Sequence, residues 1–137
     1  AEKLGADLCL DPVRMPEEEF VSLCEKYDFN CVIECAGLPR TIEQAVRIAG
    51  KKATVMMFGL TKPDDAISLK PYDVFSKELT LRSSYINPYT QARALALIEN
   101  GRVDVSCMVC EPIPLEKLGE VLASPQLRAK GKYVVKL

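Results

Sequence analysis

One apolar run that stops at two small residues and a proline constrains this chain more than any other feature. Over Asn30 to Thr41, read NCVIECAGLPRT, Cys31 to Cys35 is mostly apolar with β-branched members. Ala36 and Gly37 then permit a tight turn, and Pro39, with its preset φ and missing N–H, opens a helix. The pattern is strand, turn, helix. In an open parallel α/β sheet, ligands lie against such strand tips, where small residues let them approach the backbone closely.

The flanking spacing repeats this unit. AEKLGAD reads as the last turn of a helix stopped at Gly5, which implies sequence ahead of it, and Asp7 to Leu10 as a short strand closed by Asp11-Pro12. From Pro16, Phe20, Leu23, Cys24 and Tyr27 recur at helical spacing behind three glutamates that favour the positive end of the helix dipole. A second helix carries Ile42, Ala45, Val46 and Ala49 on one stripe, and Ala53 to Phe58 reads as a strand ending at Gly59. This alternation predicts parallel pairing with right-handed crossovers, and the strands are too apolar for a sheet with one wet face.

After Thr61 the alternation stops. Lys62 to Asp65 reads as a polar loop, Ile67 to Leu69 as a short edge strand, and Pro71 to Lys77 as an irregular segment carrying Tyr72, Val74 and Phe75. Leu79 to Tyr85 reads as an edge strand with Thr80, Arg82 and Ser84 on a solvated face, ended by Asn87-Pro88. Tyr89 to Asn100 is predicted as a helix, Cys107 to Val109 as a strand, Pro114 onward as a helix with Leu115, Leu118 and Leu122 inward, and Tyr133 to Leu137 as a final strand.

Composition narrows the function classes. Eighteen basic against nineteen acidic residues give a net charge of −1 without a basic block, which argues against a nucleic-acid surface. No apolar run reaches the length of a membrane span. The six cysteines, with Cys31 and Cys35 in one apolar predicted strand and Cys9 in another, read as reduced core thiols of a cytoplasmic protein. Cys107 and Cys110 have metal-ligand spacing but no second pair, and the chain has no histidine, so packing is the simpler reading for them. Glu34 is the one acid in the central strand: burial could poise it for proton transfer, but a polar contact beside the strand is the simpler reading. Lys70, Lys77, Lys130 and Lys132 could reach a phosphate, though solvated lysine is the default.

The ordered series LGAD, VIECAG, VMMFGL, FSKELTLRSSYINPYT, PIPLEKLGEVL and KGKYVVKL resembles the C-terminal part of medium-chain zinc-dependent alcohol and polyol dehydrogenases, the group that includes sorbitol and threonine dehydrogenases. The resemblance runs over nearly all of the chain. It implies a partial Rossmann fold, doubly wound and mostly parallel but lacking its first two strands, over residues 1–88. An α+β return segment, residues 89–137, would then pack on a separate catalytic domain. It also implies half of an NAD or NADP site. Cys35 and Ala36 would meet the adenosine, Phe58, Gly59 and Leu60 the nicotinamide ribose, and Ser84, Tyr85 and Ile86 the carboxamide, while Pro12 would wall the adenine.

The same resemblance puts the GxGxxG phosphate turn, the acidic residue that separates NAD from NADP, and all zinc ligands outside these 137 residues. It implies an enzyme oxidising a secondary alcohol or polyol, with this chain inactive by itself, and a homodimer formed through Ile67 to Tyr85. The alternative is a non-catalytic α/β oligomerisation or interaction module, which the same exposed-edge segment would serve.

Overall fold

A computed structural model describes residues 1–86 and 88–137, which divide into two units, Ala1–Ile86 and Asn87–Leu137. In the first unit the elements are α1 (Glu17–Glu25), β1 (Cys31–Glu34), α2 (Pro39–Ile48), β2 (Thr54–Met57), α3 (Pro71–Lys77) and β3 (Thr80–Ser83). The strands form one parallel sheet in the order β1-β2-β3, with Val32 opposite Val55 and Val55 opposite Leu81. The parallel α/β architecture expected from the alternation is present.

One face of the sheet holds the core. Ala45 and Val46 of α2 and Ala49 at its C-terminal end are buried with Ala53 and Val55, and Val32, Leu69, Leu79 and Leu81 pack against them. Ile42 is buried on the same helical stripe, so the i, i+3, i+4, i+7 reading of α2 holds. Lys77 closes the helix by donating from Nζ to the carbonyls of Arg47 (2.8 Å) and Ala49 (2.9 Å), which occupies one of the four candidate phosphate lysines. On α1, Phe20 and Cys24 are buried, and Glu17 pairs with Arg47 of α2.

The opposite face is less covered among the described residues, with Thr54 and Met56 half-buried. Because side chains alternate along a strand, Cys31 and Ile33 share the side opposite Val32 and Glu34, and both are exposed, Ile33 at 61%; Cys35, just past β1, is exposed too. The expectation of a sheet covered on both faces is therefore corrected. The reading of the cysteines as core thiols is corrected with it: all six are free, but only Cys24 is buried, while Cys9, Cys31, Cys35 and Cys107 are exposed.

Other local expectations also change. The opening turn is a short 3-10 stretch, Glu2–Leu4, stopped by Gly5 at φ 94° as anticipated. Asp7 to Leu10 and Ile67 to Leu69 are not strands, since neither has a ladder partner in the sheet. Pro71–Lys77 is a helix rather than an irregular segment, with Pro71 in the first turn, where a missing N–H costs nothing, and Glu78 in the left-handed conformation at its end. β3 is an edge strand, as read, with Thr80, Arg82 and Ser84 exposed. The stop expected at Asn87-Pro88 falls in part on Asn87, outside the described residues.

The second unit contains α4 (Gln91–Glu99), β4 (Ile113–Pro114), α5 (Leu118–Ala123), α6 (Pro125–Arg128) and β5 (Val135–Lys136). β4 and β5 pair in parallel. Cys107 lies in a 3-10 turn, Ser106–Met108, instead of a strand, and only Val109 reaches a bridge, to Lys132. Val121 is the buried residue of α5, whereas Leu115 and Leu122 are exposed, contrary to the inward stripe expected for them. α6 has no counterpart among the predicted elements; Ser124 caps it through Oγ, which accepts from Leu127 N at 3.3 Å. Among the described residues no helix is long and apolar enough to cross a membrane.

Candidate functional site

The parallel register sets the site. Glu34, Met57 and Ser83 are the paired last residues of β1, β2 and β3, so the chain leaves the sheet three times at one level. Cys35, Phe58 and Ser84 follow directly, and each begins a connection at the C-terminal end of the sheet. Eight of the nine residues anticipated for a cofactor, namely Cys35, Ala36, Phe58, Gly59, Leu60, Ser84, Tyr85 and Ile86, fall on these three connections. All but the partly buried Gly59 are exposed, Leu60 at 87% and Tyr85 at 81%.

Glu34 ties the first two connections together. Its Oε1 accepts hydrogen bonds from Ala36 N (2.7 Å), Gly37 N (2.9 Å) and Thr41 Oγ1 (2.8 Å), closing the turn that enters α2. Its backbone carbonyl accepts from Phe58 N and Gly59 N, both at 2.9 Å. The glycines then interlock. Gly37 has φ 68°, a conformation costly for other residues, and a Cβ there would lie 2.8 Å from Leu60 N. A Cβ on Gly59 would lie 2.6 Å from Gly37 Cα and 2.9 Å from the Cys35 carbonyl carbon. Two backbone turns can nest this closely only without side chains.

Two hollows adjoin α2. The smaller, about 230 Å³, is lined by Cys35 and Ala36 with Val32, Glu34, Thr41 and Ile48. The larger, about 830 Å³, includes Pro12, Arg40, Ser68 and Lys70, so Pro12 lines a different hollow from the other anticipated residues. Thr41 and Gln44 belong to both walls. Phe58, Gly59, Leu60, Ser84, Tyr85 and Ile86 line neither and form an open shelf.

Sequence reasoning anticipates a polar contact for Glu34, which the structure shows, but misses its partners, the Ala36 and Gly37 amides and the Thr41 hydroxyl. The available signal was the order itself: a carboxylate at a strand tip, two small residues whose amides turn back toward it, and a hydroxyl one helical turn further on. The residues do not fit a zinc ion. Among the described residues no three His, Cys, Asp or Glu side chains come together in a way that could hold a metal, and the sequence has no histidine.

Comparison with known proteins agrees with this geometry. A family profile described as zinc-binding dehydrogenase matches residues 1–100. Galactitol 1-phosphate 5-dehydrogenase of Escherichia coli K12 is 30% identical over 89 residues, covering 64% of this chain and 26% of that protein. D-altritol 5-dehydrogenase of Agrobacterium fabrum is 24% identical over 94 residues, 69% of this chain and 28% of its own length. Among solved structures, a zinc-binding dehydrogenase of Sinorhizobium meliloti 1021 bound to NADP superposes with a TM-score of 0.86 at 27% identity, over 98% of this chain and 41% of that one. The chain thus spans between a quarter and a third of these curated relatives, and about two fifths of that structure. With a profile that covers most of its length and a parallel sheet whose tips meet at one end, this chain belongs to the zinc-binding dehydrogenase family.

Proposed function

We propose that the chain forms part of the dinucleotide-binding domain of a zinc-dependent dehydrogenase that oxidises a secondary alcohol or polyol, with NAD or NADP as hydride acceptor. The observation that carries this reading is the shared level of three strand tips, whose exposed connections lie along one edge of the sheet, where an elongated ligand would cross them. In this reading Cys35 and Ala36 face the adenosine, Phe58, Gly59 and Leu60 the nicotinamide ribose, and Ser84, Tyr85 and Ile86 the carboxamide, with Pro12 beside the adenine. The NADP-bound relative from Sinorhizobium meliloti supports a dinucleotide ligand, and the polyol dehydrogenases among the relatives support the substrate class.

When bound, the nicotinamide would accept the hydride. The residues here orient that ring and fix its distance from the substrate, which is where a protein's share of cofactor chemistry lies. In the whole enzyme a zinc would polarise the alcohol, and none of the described residues would hold it. Residues 89–137 serve as the segment returning to a catalytic domain.

Two subsidiary readings belong with this one. A homodimer through Ile67 to Tyr85 is supported by exposed Tyr72, Phe75 and Tyr85 beside the edge strand β3. A reducing, cytoplasmic setting is supported by six free cysteines. The test of function is calorimetric titration of the 137-residue chain with NADH and NADPH. Half a site should bind one of them near the millimolar range, with no alcohol oxidation, and turnover by this chain alone would overturn the reading.

A further inference from the structure

We infer that Glu34 is a positioning residue: through its carboxylate and its carbonyl it makes the turns after β1 and β2 a single rigid bracket, and the dinucleotide reads the spacing of that bracket. The inference rests on the cofactor reading above and deepens it. Five hydrogen bonds converge on this one residue, three on Oε1 and two on the backbone oxygen. Glu34 is 5% exposed, and its second carboxylate oxygen, Oε2, is buried with no hydrogen-bond partner among the described residues. A carboxylate that leaves one buried acceptor unmatched carries a desolvation cost, and a residue selected for packing alone has no reason to carry it. What the other oxygen gains is the orientation of the Ala36 and Gly37 amides and the seat of α2 on Thr41. Since Gly59 nests against Gly37, any release of the first turn displaces the second. Cys35 and Ala36 would therefore move relative to Phe58 and Leu60, changing the distance between the two ends of a bound dinucleotide, and a misplacement near 1 Å can cost about a hundredfold in function.

The test compares Glu34→Gln, Glu34→Ala and Thr41→Val in the full 137-residue chain. Glutamine keeps an acceptor at the Oε1 position, whereas alanine removes it and leaves two turn amides unpaired. Without ligand, amide hydrogen exchange at Ala36 and Gly37 and also at Phe58 and Gly59 should accelerate in Glu34→Ala, less in Thr41→Val, and stay near wild type in Glu34→Gln. With NADH, affinity should fall about tenfold or more in Glu34→Ala and be rescued in Glu34→Gln. Should Glu34→Ala fail to fold, Thr41→Val carries the comparison. Unchanged exchange at Phe58 and Gly59 in the folded variants overturns the bracket. Coupled exchange with no NADH binding by the wild-type chain leaves the bracket standing and overturns the cofactor reading instead. Weakened affinity that glutamine does not rescue overturns the assignment to the Oε1 acceptor.

Discussion

Replacing Gly59 by alanine should cost this fold far more than a methyl group ordinarily does. The new Cβ would sit 2.6 Å from Gly37 Cα and 2.9 Å from the Cys35 carbonyl carbon, both backbone atoms in a turn fixed by Glu34. Carbon atoms prefer about 3.5–4.0 Å, so the two turns must part by roughly 1 Å. Overpacking of this kind costs about 1–3 kcal/mol. The same movement stretches the bonds from Phe58 N and Gly59 N to the Glu34 carbonyl, at about 1 kcal/mol each. A loss of about 3–5 kcal/mol follows, and at about 4–8 °C per kcal/mol for a unit of this size the melting temperature should drop by roughly 12–40 °C. Circular dichroism melts and urea titrations of the same samples would measure it. Gly119→Ala is the control: Gly119 lies inside α5 with nothing within 4 Å of its would-be Cβ, so helix propensity should add about 0.5–1 kcal/mol. A Gly59→Ala protein melting within 2–3 °C of wild type, on that same scale, would refute the nested-turn argument.

Further outcomes can be checked more quickly. A thiol reagent at neutral pH should modify Cys9, Cys31, Cys35 and Cys107 rapidly and Cys24 only on unfolding, followed by mass spectrometry of labelled peptides. Burial raises the Cys24 thiol above its ordinary value of 9.0, so the folded state holds that proton longer. Its stabilising contribution is then full below pH 9 and is lost as pH rises beyond it, a trend that Cys24→Ala should flatten in alkaline urea titrations. Hydrogen bonds from Ser106, side chain before backbone, hold the exposed Asp104 below its usual 3.8, so its contribution is present above that pH and fades as acid protonates it. Asp104→Asn should therefore differ from wild type at neutral pH and converge with it in strong acid. The Glu17–Arg47 pair is about half exposed on both sides, and Glu17→Gln should shift stability by no more than about 1 kcal/mol. Ile33→Lys, on the less covered sheet face, should leave the melting temperature nearly unchanged and reduce self-association in light scattering.

The parts legible in the sequence were those whose periodicity reflects burial that occurs within these residues. The stripe Ile42, Ala45, Val46 and Ala49 predicted its own face because that face is covered by β1 and β2 side chains. Cys31 and Ile33 misled because their apolar character implies a covering layer, yet both are exposed. Pro71–Lys77 looked irregular because exposed Tyr72 and Phe75 break the expected apolar stripe, although the proline at its start was a sound helix signal. In the second unit, short elements such as β4 and α6 contain too few residues to show a period at all. At the site, strand ends were readable from Gly37 and Gly59. The bracket between them was not, because it depends on a side chain meeting backbone amides and on two turns touching across a sheet. Pro12 was grouped with Cys35 through the family resemblance, yet it lines the neighbouring hollow.

Chemical-shift mapping of the full chain during titration with NADH tests the central claim most directly. The account predicts perturbations concentrated on the amides of Cys35, Ala36, Phe58, Gly59, Leu60, Ser84, Tyr85 and Ile86, the three connections that leave the sheet at one level. Saturating perturbations confined to other surfaces, or a spectrum that does not respond at millimolar NADH, would contradict it.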